Sequence, residues 1–183
     1  RQRQMCIRDR YTGAGSRSSA LCFNKSESKK VFLEAGVPTP HAEILDCSNG
    51  IVMPSLPLPF VIKPPCEGSS VGVHIVRRQE DVLPAMEEAV THGTTVLVEE
   101  FIQGKELTVG ILDGKALPVI HICPRSGFYD LSNKYPWMNM GGGTDYICPA
   151  DLPEETAANV QEAALKAYKA AGVEVYGRVD VLL

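Results

Sequence analysis

The chain has 183 residues, a hydrophobic fraction of 44% and a formal net charge of -4 at pH 7, which indicates one folded domain or two small ones. There is no long basic run, so nothing points to a nucleic-acid surface, and no apolar run approaches the roughly 18 residues of a membrane span. No secretory signal is recognisable either. We therefore expect a cytoplasmic protein that binds a small molecule.

The cysteines and the first ten residues give little information about function. The six cysteines are scattered and form no CxxC pair, so we expect reduced thiols and no zinc site. The segment RQRQMCIRDR at positions 1–10 has no helix or strand period and resembles translated adaptor sequence. We exclude it as a non-native leader, with a native disordered arm as the alternative.

In the first half of the chain, helix and strand patterns alternate. YTGAG at positions 11–15 reads as the end of a strand, and SESKKVFLEA then predicts a helix that Ser26 caps and Gly36 ends. FVIK and VGVHIV predict two strands joined by a glycine and serine turn. Helical spacing of apolar residues predicts a further helix from about Asp81 to His92.

The second half contains more strand patterns. TTVLVEEFI predicts a strand, and ELTVGIL and KALPVIHI flank Asp113-Gly114, a strong hairpin signal. A helix over 154–171 is expected to open with a capping box from Asp151 and to close at Gly172. VEVYGRVDVLL predicts the last strand. Antiparallel strands predominate, and the long irregular stretch 124–143 is typical of a lid or binding loop.

The turn EGSSVG, which contains Ser69 and Ser70, allows three interpretations. It matches the GxSxG elbow of hydrolases, but an elbow needs a following helix and a strand pattern follows here. It could simply be a tight hairpin with Lys63 solvated on an edge strand. Alternatively, its small residues could cover a polyphosphate whose charge Lys63 neutralises.

The segment VEEFIQGKEL has features of a base and sugar site. Alternation puts Glu99 and Phe101 on one strand face and Glu100 and Ile102 on the other. The strand is expected to break at Gly104, which frees backbone groups to pair with a planar base, and Glu106 could accept from ribose hydroxyls. The alternative is an exposed acidic edge strand.

The last strand pattern is amphipathic. Val179 and Val181 fall on the expected core face, whereas Arg178 and Asp180 fall on the other. This pair suits a site in which the cation stabilises phosphoryl charge and the neighbouring carboxylate binds Mg²⁺. A surface ion pair is the alternative.

Taken together, these motifs resemble one family closely. Lys25, Lys63 with EGSSVG, VEEFIQGKELTVGIL, FYDLSNKY, GGGTDYICPA and GRVDVLL follow the order and approximate spacing of the D-alanine:D-alanine ligases of the ATP-grasp superfamily. The resemblance implies an α+β ATP-grasp fold of two subdomains with antiparallel sheets and flanking helices, with the nucleotide cleft between them. It also implies a division into a remnant of an N-terminal substrate domain (11–24), a central subdomain (25–103) and an incomplete C-terminal subdomain (104–183).

The resemblance also implies roles for individual residues. Lys25 and Lys63 would bind the phosphates of ATP, with Ser69 and Ser70 closing over them. Adenine and ribose would contact Glu99, Glu100, Phe101, Ile102 and Glu106. Arg178 would stabilise the tetrahedral intermediate, and Asp180 would bind Mg²⁺ (or Mn²⁺). Tyr129, Lys134 and Tyr135 would lie on the lid, and Ser69 and Tyr135 would orient substrate.

The implied reaction joins two D-alanines for peptidoglycan through an acyl phosphate, in a parent enzyme that is a homodimer and binds neither nucleic acid nor membrane. Because family members have a further strand after GRVDVLL and a larger N-terminal domain, we expect this chain alone to bind ATP weakly and to form no dipeptide. The alternatives are another ATP-grasp carboxylate:amine ligase, of the biotin carboxylase or carbamoyl-phosphate synthase type, and a non-catalytic nucleotide-binding module.

Overall fold

Two antiparallel sheets make up most of the structure, a computed structural model that describes residues 11–125 and 143–183. The first sheet has the order β1-β4-β2-β3. Its strands are β1 (Ala42–Asp46), β2 (Phe60–Lys63), β3 (His74–Val76) and β4 (Thr95–Glu100). One face packs on α3 (Val82–Ala89), and this core contains Phe60, Ile62, Val98 and Met86. The other face carries Lys63 and Glu99, because side chains alternate along each strand.

In the second sheet, β5 (Glu106–Leu112) pairs along one edge with β6 (Lys115–Ala116) and β7 (Ile120–Pro124), and along the other with β9 (Tyr176–Leu182). Strand β8 (Thr144–Ile147) pairs with β7. The long helix α4 (Glu154–Ala170) covers one face and packs its apolar side on Leu107, Val109 and Ile111. The opposite face carries the polar residues of β5 and β9.

Two helices precede the first sheet. Helix α1 (Ser16–Phe23) is followed at once by α2 (Lys25–Glu34). Between them, Asn24 Oδ1 accepts from the backbone N–H groups of Ser26 and Glu27 at 3.1 and 3.2 Å, so Asn24 is the N-cap. The prediction that Ser26 caps this helix is therefore wrong. The expected strand at 11–15 is also absent, since those described residues form only bends and irregular backbone.

Most of the other predicted elements are confirmed, but several boundaries differ. Gly36 and Gly172 adopt φ of +64° and +62° at the ends of α2 and α4, as expected for helix-terminating glycines. The capping box from Asp151 is wrong, because the N-cap of α4 is Pro153, without a side-chain cap. The predicted strand VGVHIV is shortened to β3, because its first residues belong to the preceding turn.

Three further differences concern strands and short helices. Strand β1 was not predicted, and KALPVIHI splits into β6 and β7. The predicted helix from Asp81 to His92 is divided into α3 and the flanking 3₁₀ turns Gln79–Asp81 and Val90–His92. Within the described ranges, no helix is both long and apolar enough to cross a bilayer.

Candidate functional site

A buried ion-pair cluster lies on the face of the first sheet opposite α3. The carboxylate of Glu99, only 12% exposed, pairs through Oε2 with Lys63 and through Oε1 with Lys29 at 2.9 Å. Lys63 lies on β2 and Glu99 on β4, which are neighbouring central strands, whereas Lys29 reaches down from α2. The two alternatives that placed Lys63 on a solvated edge strand and Glu99 on an exposed acidic edge are therefore wrong.

The cluster affects the ionisation of its members. Burial raises the pKa of Glu99, but the charges and hydrogen bonds of Lys63 and Lys29 outweigh it, and the net pKa lies below the usual value. The pKa of Lys25, at the start of α2, is also lowered, but here burial and then the neighbouring Lys63 disfavour the charged form. Two cations close together in a partly buried place favour the binding of an anion.

Lys25 joins the start of α2 to the loop before the serine turn. Its backbone N–H donates to Pro65 O at 2.9 Å and its ammonium donates to Glu67 O. The following Ser69 and Ser70 have φ of +52° and +63°, a region that non-glycine residues seldom adopt and that recurs at functional sites. A turn and β3 follow these serines, so the hydrolase elbow, which requires a helix, is wrong.

A cavity of about 590 Å³ opens between the two sheets. Its walls come from the segment 37–40, the end of β4, the start of β5, β9 and α4, and four carboxylate residues contribute to it: Glu99, Glu100, Glu106 and Asp180. Most of the remaining lining residues are apolar, among them Phe32, Val37, Ile102, Ala163, Val179 and Val181. An apolar cavity rimmed by acceptor groups suits a flat, donor-bearing ligand.

Asp180 is held on the cavity side of the second sheet by two neighbours. Thr108 lies directly opposite it on β5 and donates to Asp180 Oδ1 at 2.7 Å. The guanidinium of Arg178 pairs with the same carboxylate, with Nε 3.0 Å from Oδ1. Both members of this ion pair are more than half exposed, so Asp180 remains accessible to a ligand in the cavity.

A single carboxylate is a poor metal site by itself. Among the described residues, no group of three or more His, Cys, Asp or Glu side chains is arranged to hold a metal ion. Asp180 nevertheless fits Mg²⁺ in one respect, because this ion commonly takes one or two protein carboxylates and obtains its other ligands from phosphates and water.

The sequence-predicted residues fall into several groups. Glu99, Glu100, Ile102, Glu106 and Asp180 line the cavity. Lys25, Lys63, Ser69, Ser70, Phe101 and Arg178 lie outside its lining. Within this second group, Lys63 pairs with Glu99 and Arg178 pairs with Asp180. Each of these two residues therefore contacts a residue that lines the cavity. Tyr129, Lys134, Tyr135 and the central part of the predicted lid lie outside the described residues.

The last residue of β4, Glu100, and the residue after it, Phe101, have contacts that the sequence did not indicate. Arg77 lies over the ring of Phe101, with Cζ 4.6 Å from the ring centroid. The backbone N–H of Glu100 donates to His41 O at 2.9 Å. Any contact between a base and the Glu100 backbone would therefore use its carbonyl oxygen.

Sequence reasoning missed Lys29. Its Nζ donates to Thr39 Oγ1 and Pro40 O at 2.7 Å each, besides pairing with Glu99, and its side chain is only 6% exposed. A usable signal was present, since Lys25 and Lys29 are four residues apart and share a helix face. If Lys25 faces the site, Lys29 must face the same side.

This arrangement, with two antiparallel sheets, helices on their outer faces and a cleft lined by carboxylates from both sheets, is the ATP-grasp fold. A family model described as "D-ala D-ala ligase C-terminus" matches residues 40–183. The chain therefore belongs to the D-alanine–D-alanine ligase family.

Curated relatives and solved structures agree with this assignment. The chain is 43% identical to the D-alanine--D-alanine ligase of Methylacidiphilum infernorum over 173 residues, which cover 94% of this chain and 55% of that protein. For the Bordetella pertussis ligase the identity is 44% over 179 residues, with the same coverage of 94% and 55%. The chain thus spans about half the length of the curated relatives that it matches.

Two solved structures extend the comparison. The Bacillus anthracis ligase complexed with ATP is similar with a TM-score of 0.78 and 30% identity, covering 94% of this chain and 54% of that one. The VanG D-Ala:D-Ser ligase from Enterococcus faecalis has a TM-score of 0.76 and 30% identity, covering 93% and 51%.

Proposed function

We propose that the chain binds ATP between its two sheets and supplies the nucleotide site of an enzyme that joins two D-alanines. The observation that carries this proposal is the position of Glu99. It belongs to the buried ion-pair cluster and also lines the cavity, together with Glu106 and Asp180. Cations for phosphate and acceptors for base and sugar therefore meet at one residue. The Bacillus anthracis relative that was solved with ATP supports this interpretation.

In this proposal the base and sugar occupy the apolar, acceptor-rich cavity. Glu99 accepts from the amino group of adenine, the connection from Glu100 to Ile102 contacts the base edge, and Glu106 accepts from ribose hydroxyls. Phe101 supports this connection from outside the cavity lining. The phosphates extend towards Lys25 and Lys63, whose positive charges they compensate, and the turn of Ser69 and Ser70 closes over them.

The chemistry follows from charge neutralisation. The carboxylate of one D-alanine attacks the γ-phosphorus of ATP, whose bond to the β-phosphate oxygen breaks, to give an acyl phosphate and ADP. The amine of a second D-alanine then attacks the acyl carbon, loses a proton and displaces phosphate. Lys25, Lys63 and Arg178 offset the developing negative charge. Asp180 would hold Mg²⁺, which when bound neutralises phosphate oxygens. We assign Tyr129, Lys134, Tyr135 and Ser69 to closure over the substrates, since an acyl phosphate requires exclusion of water.

The same proposal covers the division of the chain into subdomains, its oligomeric state and its location in the cell. Residues 25–103 and 104–183 form the two nucleotide-binding subdomains, and 11–24 belongs to a preceding substrate domain. This division is supported by the sheets, because the first ends at Glu100 and the second begins at Glu106. A homodimer in the cytoplasm is expected from the family resemblance, and sedimentation analysis of the purified protein measures its oligomeric state.

Nucleotide binding can be tested on the 183-residue chain by titration calorimetry with ATP and Mg²⁺. We expect weak, saturable binding that Lys63→Ala reduces by more than about 1 kcal/mol, as for loss of a charge-assisted contact. Lys30→Ala is the matched control, because Lys30 is 55% exposed and pairs only with Glu27 among the described residues. Absence of saturable binding, or equal losses in the two variants, would contradict the proposed site.

The ligase reaction can be tested in a chimaera in which this chain replaces the matching segment of the Methylacidiphilum infernorum ligase. We expect phosphate release that depends on D-alanine, and a dipeptide product. D-Serine as the second substrate tests for the alternative specificity of the VanG D-Ala:D-Ser ligase. A folded chimaera that releases phosphate only with substrates of other ATP-grasp ligases would contradict the D-alanine assignment.

A further inference from the structure

Lys29 is the most completely bonded lysine in the described part of the chain. An ammonium group has three donor hydrogens, and Lys29 directs its three contacts to Thr39 Oγ1, Pro40 O and Glu99 Oε1 at 2.7, 2.7 and 2.9 Å. These partners belong to the loop that follows α2 and to strand β4, which is distant in sequence. Lys29 therefore fixes three parts of the cavity wall relative to one another.

The two lysines on Glu99 have different surroundings. Lys63 is 20% exposed, and within the described ranges its ammonium group pairs only with Glu99. Lys29 is 6% exposed and is anchored by two further acceptors. Only Lys63 is therefore able to turn towards a ligand phosphate without breaking several other contacts, whereas Lys29 stays in place.

We propose that Lys29 is a positioning residue that holds the Glu99 carboxylate in one orientation, ionised and aimed at the nucleotide base, while Lys63 moves from Glu99 to the phosphates. This inference rests on the proposed ATP site. If Lys63 alone held Glu99, binding of phosphate would leave a buried carboxylate without a partner, which is energetically costly. Lys29 removes that cost, so one lysine serves the phosphates and the other serves base recognition.

A Glu99 carboxylate held by Lys29 should determine selectivity for the nucleotide base, and not only the affinity for nucleotides in general. A carboxylate in a fixed orientation distinguishes ATP from purine ribonucleoside triphosphate, the analogue that lacks the 6-amino group, because only ATP donates to Glu99. A hydrogen bond to a charged group corresponds to roughly tenfold in affinity. We therefore expect the wild-type chain to prefer ATP by about tenfold, and a loss of orientation at Glu99 to reduce that ratio.

The test compares the affinities of the two nucleotides for the 183-residue chain and for three variants. Lys29→Gln retains an amide donor for Thr39 and Pro40 but loses the positive charge, and we expect its preference to fall below about threefold. Lys29→Arg restores the charge and is expected to recover part of the preference. Lys30→Gln, on the exposed face of the same helix, should keep the wild-type ratio.

The outcomes separate this inference from the proposal beneath it. If the wild-type chain prefers ATP and Lys29→Gln keeps the full ratio while binding both nucleotides more weakly, Lys29 has only a structural role and the inference is overturned. Equal binding of both nucleotides to the wild-type chain would also overturn it, with the ATP site intact. Failure of the wild-type chain to bind ATP would contradict the proposed function itself.

If Lys29→Gln does not fold, Lys29→Arg decides the question. A preference for ATP that Lys29→Arg retains supports charge-based positioning. Equal affinities of Lys29→Arg for the two nucleotides, with the wild-type ratio kept in Lys30→Gln, would overturn it.

Discussion

Thr108 Oγ1 donates a hydrogen bond of 2.7 Å to Asp180 Oδ1, directly across the β5–β9 pair. Thr108 is buried, whereas the carboxylate it contacts opens onto the cavity between the sheets. The hydroxyl therefore fixes the acidic residue from the core side. Arg178 supplies the second contact from the solvent side.

Removal of the Thr108 hydroxyl should loosen Asp180 without a large change in packing. We expect Thr108→Val to lower the free energy of unfolding by about 1 kcal/mol, the usual net value of one hydrogen bond. Thr108→Ser, which keeps the hydroxyl, is the control. Urea denaturation of the three proteins measures the effect, and equal losses in the two variants would show that packing and not the hydrogen bond is responsible.

The N-cap of α2 gives a second prediction. Asn24→Ala should destabilise the chain by about 1 kcal/mol, because it leaves two backbone N–H groups of the first turn without their acceptor. Ser26→Ala should be neutral or slightly stabilising, since within the described residues the buried Ser26 hydroxyl has no hydrogen-bond partner. Thermal unfolding of both variants tests this contrast, and the reverse order of stabilities would restore Ser26 as the cap.

This difference illustrates where local sequence information stops. Asn, Ser and Asp are all good N-caps, and the choice between Asn24 and Ser26 depends on where α1 ends, one residue before Asn24. By contrast, the amphipathic β9 and the Asp113-Gly114 hairpin follow from local rules, namely strand alternation and the positive φ of +50° and +69° at these two residues.

The site shows the same limit. Motifs identified the residues at the cavity, but they did not show that Lys29 is buried and Lys30 exposed, because only helix position relative to Lys25 distinguishes the two lysines in the sequence. Their exposures of 6% and 55% are determined by the loop at Thr39 and by β4, which come later in the chain. Contacts between distant segments decide which charge is buried.

The lowered pKa of Glu99 gives a third prediction, on acid stability. In the unfolded chain Glu99 should titrate near the usual glutamate pKa of 4.5, above its pKa in the folded protein. Between the two values the unfolded state binds more protons, so stability rises with pH. The contribution of Glu99 is complete above about pH 4.5 and is lost as pH falls through the folded pKa.

Glu99→Gln is the variant that isolates this effect. At pH 7 it should lose about 3 kcal/mol, as expected when one partner of a buried ion pair is removed. Below pH 4.5 its stability should depend less on pH than that of the wild type. Denaturation midpoints measured from pH 7 to 3 provide the comparison, and parallel pH profiles would argue against a lowered pKa of Glu99.

The position of the nucleotide can be measured directly by photolabelling with 8-azido-ATP, followed by mass spectrometry of the labelled peptides. We expect the label on peptides that border the cavity, from the 37–40 segment or from the connection between β4 and β5, and we expect excess ATP to prevent it. Labelling confined to α3, or labelling that ATP does not reduce, would contradict the placement of ATP between the two sheets.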